Sequence, residues 1–102
     1  MRILLCIDMP VRGRIQRRSA AALRQELSDA GFTKLQANLF AKVVGSKESL
    51  GRYLRQLQSL LPDKCNARIL TLTERQYEDM KLLRGAKNAQ ELRVGAKRQL
   101  IF

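Results

Sequence analysis

Residues Ile3-Leu-Leu-Cys-Ile7 form an unbroken apolar run near the beginning of the chain. The run is too short for a helix, is rich in strand formers, and is followed by Pro10. It reads as a central strand buried on both faces. Asp8 stands where the apolar run stops, and Pro10 and Gly13 then break the chain before a basic, helix-like segment. A carboxylate at the end of a core strand, beside cationic residues, is the local arrangement with the most chemical content. Asp also commonly ends a strand and caps the following turn, so the local sequence leaves both readings open.

The rest of the chain supplies partners for that strand. In residues 14–30, Ile15, Ser19, Leu23 and Leu27 recur every four residues, with Ala22 and Ala30 alongside, which predicts a helix with one apolar stripe. Gly31 stops it. Arg14, Arg17, Arg18 and Arg24 fall on its polar face, as either a solvated surface or a phosphate-binding ridge. Residues 32–44 read as two short strands with a turn near Gln36 to Asn38. Leu39, Ala41 and Val43 alternate with Phe40, Lys42 and Val44, giving one apolar and one mixed face. Ser46 is placed to cap a helix over 47–61, whose stripe is Leu50, Tyr53, Leu54, Leu57, Leu60 and Leu61 and which Pro62 ends. Residues 67–72 form another strand. Thr73 and Gln76 have the spacing of a capping box, opening a short helix through Met80. Residues 81–85 fit either a brief strand or the end of that helix.

From Ala86 the sequence is polar and loop-like until Gln99-Leu-Ile-Phe102. Three terminal apolar residues need something to pack against, and the expectation is a strand added to the sheet of a second copy. The chain thus divides into a core over 1–85 and an extension over 86–102. The order strand, helix, strand, strand, helix, strand is the split βαβ pattern. The expected class is α+β: a ferredoxin-like βαββαβ fold with an antiparallel sheet, two helices on one face and extra C-terminal elements. The other sheet face must then be covered by a partner or by the tail.

Charge and rare residues narrow the chemistry. Twenty Lys and Arg against nine Asp and Glu give a net charge of +11, spread along the whole chain. Such a balance favours a polyanion, because releasing counterions from phosphates drives association. The absence of histidine excludes His-based acid–base catalysis and His metal ligands. Hydrolysis would need carboxylates and a metal. Cys6 and Cys65 lack a metal-ligand spacing and read as free thiols. No apolar run approaches the roughly 20 residues of a membrane span, and the first one is too short for a secretory signal, so a cytoplasmic location without membrane contact is expected.

With these residues in place, the chain resembles the family of the smaller CRISPR-associated adaptation protein ("Cas-two"), most closely members from systems with a single large effector nuclease. The opening strand followed by Asp8-Met9-Pro10, the Arg17-Arg18 pair, Gly31-Phe32 with Leu35-Gln36 and Leu39-Phe40, and Leu61-Pro62 match its pattern. So does the block Leu70-Thr-Leu-Thr-Glu74, Gln76-Tyr77, Met80 and Gly85. The order and spacing of these pieces over nearly the full length carry the likeness. The chain departs from the pattern at Ala20 to Leu23, at Asn38, at Phe40 in place of Tyr, and at Ala86, changes that bear on nuclease activity more than on fold.

The resemblance implies a two-fold homodimer joined through its sheets, with C-terminal strands completing the partner's sheet. It implies bridging of the larger adaptation integrase protein and binding along duplex DNA. It further implies, in some members, magnesium-dependent cleavage of RNA or DNA by the Asp8 carboxylates of two subunits sharing one Mg2+. Arg12, Arg14, Arg17 and Arg18 are the candidate nucleic-acid contacts, and Asp8 is the candidate catalytic and metal residue. A toxin-like endoribonuclease of the same fold is the alternative. A basic RNA-binding module ranks last, because such sheets usually stack bases on aromatic rings and only Phe32 and Phe40 are at hand.

Overall fold

The computed structural model describes residues 1–9, 12–87 and 91. Its elements are β1 (Arg2–Asp8), α1 (Arg14–Asp29), β2 (Thr33–Gln36), β3 (Leu39–Val43), α2 (Lys47–Leu60), β4 (Asn66–Leu72) and α3 (Glu74–Glu78). The four strands form one sheet in the order β2-β3-β1-β4. Each neighbouring pair is antiparallel. β3 lies between β1 and β2, and β1 lies between β3 and β4, so each helical connection crosses over an intervening strand. This is the ferredoxin-like arrangement expected from the element order. The part of the 86–102 extension beyond Lys87, apart from Glu91, lies outside the described residues, and with it the expected terminal strand.

β1 is the central strand, paired with β3 from Arg2↔Val43 to Cys6↔Leu39 and with β4 from Arg2↔Leu72 to Asp8↔Asn66. Successive strand side chains point to opposite faces. Ile3, Leu5 and Ile7 therefore share one face, where they are buried with Phe40 of β3, Leu23 and Leu27 of α1 and Leu57 of α2. Both long helices thus contribute to the same core. Arg2, Leu4, Cys6 and Asp8 point the other way, to a face that carries neither long helix. β1 is accordingly central in the sheet but buried along its whole length on only one side: on the other, Arg2 is buried, Leu4 is half-buried, and Cys6 and Asp8 are exposed. An apolar run alone does not reveal that, among the described residues, both long helices pack on the same face.

The faces of α1 and β3 also differ from the pattern in the sequence. The buried side of α1 is Ala20, Leu23 and Leu27, whereas Ile15 is 81% exposed and Ser19 and Ala22 lie in solvent. The small Ala20 lets the helix approach the sheet, and its spacing to Leu23 and Leu27 selects a stripe rotated away from Ile15. In β3, the mixed face turns toward the helices, while on the other face Leu39 is half-buried, Ala41 is buried and Val43 is exposed. Phe40 fills the core opposite Leu5, and Lys42 beside it sits opposite Ile3.

The Lys42 ammonium is accommodated without a carboxylate. Its Nζ donates to the carbonyl of Ala30 and lies 4.5 Å from the centre of the Tyr53 ring. The carbonyls at a helix C-terminus carry partial negative charge, and an aromatic face attracts a cation, so both contacts suit it. Gly31, at φ +94°, ends α1 in the left-handed region. A Cβ there would also come within 2.7 Å of the Lys42 nitrogen.

Local signals appear where the sequence puts them. Ser46 accepts from the Ser49 N–H at 3.1 Å to cap α2. At α3, Thr73 accepts from the Gln76 N–H at 3.1 Å while Gln76 accepts from the Thr73 N–H at 2.9 Å, the full capping box. The β2–β3 turn occupies Ala37 and Asn38, with an irregular register between Lys34 and Gln36. α3 ends at Glu78, short of Met80, and residues 81–85 are neither helix nor strand.

The rotated face of α1 has a direct consequence. Leu27→Ala, at a fully buried position, is expected to lower unfolding stability by about 2–5 kcal/mol. Ile15→Gln is expected to change it by no more than about 0.5 kcal/mol. Urea denaturation of the two variants checks the assignment; a larger loss at Ile15 than at Leu27 would contradict it.

Candidate functional site

The end of β1 gathers three segments. Asp8 is the last residue of the strand and lies across from Asn66, the first residue of β4. Two residues earlier, Cys6 is flanked by Leu39 of β3 and Arg68 of β4. The Ile7 N–H donates to the Asn38 carbonyl at 3.0 Å, which draws the β2–β3 turn to the same place. Together they border an open depression of about 790 Å³, whose polar lining is Asp8, Gln36, Asn38, Asn66 and Arg68. Asp8 and Arg68 are both exposed. Neither side chain forms a hydrogen bond or ion pair among the described residues.

A carboxylate in a depression that amide side chains also line offers hard oxygen donors. Among the described residues no group of three His, Cys, Asp or Glu could enclose a metal. Magnesium does not need such a cage, since it keeps several waters and commonly takes one or two carboxylates. The Asp8 carboxylate is thus compatible with Mg2+ but would by itself supply only one of its ligands.

The open sheet face changes character along its length. Beyond the depression, Leu4 lies between Ala41 and Leu70, and Arg2 between Val43 and Leu72. Val43 and Leu70 are 55% and 59% exposed. Arg2, by contrast, is 4% exposed. Its Nε donates to both Glu74 carboxylate oxygens at 3.1 and 3.0 Å, and its guanidinium lies 4.0 Å from the centre of the Tyr77 ring. Its buried Nη2 has no acceptor. The cluster fastens α3 beside the apolar end of the face. Burial pushes the Tyr77 hydroxyl up from its ordinary pKa, and the positive charge of Arg2 opposes the shift.

The candidate arginines form a second surface. Arg12, Arg14, Arg17 and Arg18 are all exposed, and none has an ion-pair partner among the described residues. Arg14, Arg17 and Arg18 stand at positions i, i+3 and i+4 of one helix, so they share a ridge. The first turn of α1 contains no acidic residue, and Gly13 offers no side-chain cap, so nothing negative offsets the positive helix end. These arginines do not line the Asp8 depression, although only residues 9–13 separate β1 from α1. Phe32 and Phe40, the two rings available for base stacking, are 3% and 2% exposed within the core. They offer no stacking platform. Sequence reading missed Arg2, Asn66 and Arg68. The signal for the last two was the period of β4, which sets Asn66, Arg68, Leu70 and Leu72 on one face.

Cys65 reports on Asp8. This half-buried thiol packs against the core, and burial, then the negative charge of Asp8, raise its pKa. Replacing Asp8 by Asn removes the second cause, so the Cys65 thiolate is expected to form at lower pH than in the parent. The pH profile of alkylation at Cys65, with exposed Cys6 as internal reference, measures this. An unchanged Cys65 profile would mean that the carboxylate lies farther away than described.

Comparison with known proteins gives consistent relatives. The chain is 34% identical over 102 residues to the CRISPR-associated endoribonuclease Cas2 of Ligilactobacillus salivarius (strain UCC118), covering 100% of both chains. It is 30% identical over 102 residues to the protein of the same description from Acidovorax ebreus (strain TPSY), again covering 100% of both. The crystal structure of Streptococcus pyogenes Cas2 at pH 6.5 matches with a TM-score of 0.65 at 15% identity, over 81% of this chain and 99% of that one, which shows a shared fold. No family model matches the chain.

Proposed function

Since the chain belongs to the CRISPR-associated Cas2 family, we propose that it acts in CRISPR adaptation as a homodimer that binds duplex DNA and bridges copies of the larger integrase protein. The observation that carries the binding reading is the ridge of Arg14, Arg17 and Arg18, exposed and without ion-pair partners among the described residues, on a chain of net charge +11. Such contacts hold the phosphate backbone without reading sequence, and a dimer axis would double them. The open sheet face, with Val43 and Leu70 more than half exposed, is the surface on which a second copy would pack. Affinity for duplex DNA is expected to fall steeply with salt, in proportion to the phosphates contacted. In the double variant Arg14→Glu, Arg17→Glu, duplex binding is expected to be lost while the circular dichroism spectrum stays that of the parent. Fluorescence anisotropy against a labelled duplex measures it; parental affinity would rule out the ridge.

A second activity, metal-dependent cleavage of RNA or DNA, is favoured by the unpaired Asp8 carboxylate and by the endoribonuclease description of the relatives. Asp8 from each of two copies would hold one Mg2+, which when bound supplies charge to stabilise the phosphate and to acidify a water. The chain's own contribution is to hold the carboxylate at a fixed strand end, among amide side chains and open to solvent. Cleavage is expected to be sensitive to chelator and to drop by at least about 100-fold in Asp8→Asn, the scale of a lost metal ligand or general base. Equal cleavage by parent and variant would remove Asp8 from the mechanism.

A further inference from the structure

The Asp8 depression holds a free cation as well as a free carboxylate. Arg68 lies on the open face of β4, two residues along from Asn66, which is itself across from Asp8. Diagonal neighbours of this kind have Cα atoms roughly 7–8 Å apart. Opposite charges placed so near each other in solvent usually close into an ion pair when nothing else holds them. Here they do not: among the described residues, neither the Asp8 carboxylate nor the Arg68 guanidinium has an ion pair. Both charged groups instead border the same depression, with Asn66 between them in the strand. A site that presents a carboxylate at one side and a guanidinium at the other suits a ligand with both a cation and an anion.

We propose that Arg68, supported by the Asn66 amide, is the phosphate-binding side of this depression. A phosphodiester with an associated divalent cation would place the cation toward Asp8 and its non-bridging oxygens toward Arg68. The guanidinium is the apt donor, because its planar fork can give two parallel N–H bonds to phosphate oxygens. The ligand class is thus a nucleic-acid backbone, RNA or DNA. The inference rests on the reading of Asp8 as a metal-dependent phosphodiesterase residue, and it adds a contact distinct from the α1 ridge. Arg68 touches the substrate and does not act on the scissile bond, so its loss should appear in binding more than in turnover.

The test uses the full chain with Arg68→Gln, Arg68→Lys and, as a charge-matched control, Arg75→Gln, an exposed arginine of α3 outside the depression. Binding of labelled single-stranded RNA and of labelled duplex DNA is followed by anisotropy in the presence of chelator, so that the readout does not depend on bound metal. For whichever polymer occupies the depression, Arg68→Gln is expected to weaken binding about 5–10-fold and to reduce the slope of log affinity against log salt by about one. Arg68→Lys, which keeps the charge but loses the fork, should restore the salt slope and only part of the affinity, and Arg75→Gln should change affinity less than twofold. Under cleavage conditions Arg68→Gln should raise KM with kcat nearly unchanged. Parental affinity and slope in Arg68→Gln, or an equal loss in Arg75→Gln, would overturn the assignment. So would a shift of Arg68→Gln to monomer at the same concentration, which would make Arg68 a contact between copies. Loss of cleavage in Asp8→Asn with no change in Arg68→Gln would sink this inference alone. Unchanged cleavage in Asp8→Asn would sink the phosphodiesterase reading, while the chelator-based binding still decides the role of Arg68.

Discussion

The two-residue period of β1 is the constraint on which the rest of the molecule depends. It sends Ile3, Leu5 and Ile7 beneath the helices and Arg2, Leu4, Cys6 and Asp8 to the other face. A slip of one residue in either ladder would exchange these sets, placing Asp8 and Arg2 in the core and three aliphatic side chains in water. Burying Ile3, Leu5 and Ile7 at about 1.5–3 kcal/mol each excludes that alternative. The position of the candidate carboxylate therefore follows from the strength of the core behind it. The β4 ladder, which runs out to Asp8↔Asn66, and the Ile7 N–H bond to the Asn38 carbonyl give the strand end a defined place.

The same period gives the open face its gradient. One end combines Leu4, Ala41, Val43, Leu70 and Leu72, and the other combines Asp8, Asn66 and Arg68. A chain of 102 residues buries a modest share of its surface. The exposure of Val43 and Leu70 on that face is a further loss, which association of two copies would offset. The apolar end is thus suited to packing and the polar end to chemistry, on a single continuous surface.

The charge balance bears on how the cations of the described residues are accommodated. With twenty Lys and Arg against nine Asp and Glu, internal pairing cannot neutralise the surface. Where a cation is drawn into the structure, it takes other partners: Lys42 a helix carbonyl and an aromatic ring, Arg2 the Glu74 carboxylate and the face of Tyr77. The arginines of α1 have no such partners among the described residues, and their repulsion at a positive helix end is a standing cost that an anion relieves. On the proposed function, that anion is a nucleic-acid backbone.

The sequence by itself determined the order and kind of the elements, the Ser46 cap, the Thr73–Gln76 capping box, the stop at Gly31 and the turn at Ala37–Asn38. It also singled out Asp8 as the residue ending the core strand. Each of these depends on side chains and backbone groups a few positions apart, so neighbours in the chain suffice to specify it. Only the tertiary structure decided which face of each element is buried: Ala20 in place of Ile15 on α1, Phe40 with Lys42 in place of Leu39 with Val43 on β3, and one face of β1 in place of two. It alone brought Asn66 and Arg68 beside Asp8 and Glu74 onto Arg2. Those outcomes depend on strand register and on where the helix layer settles, and residues far apart in the chain meet only after both are set.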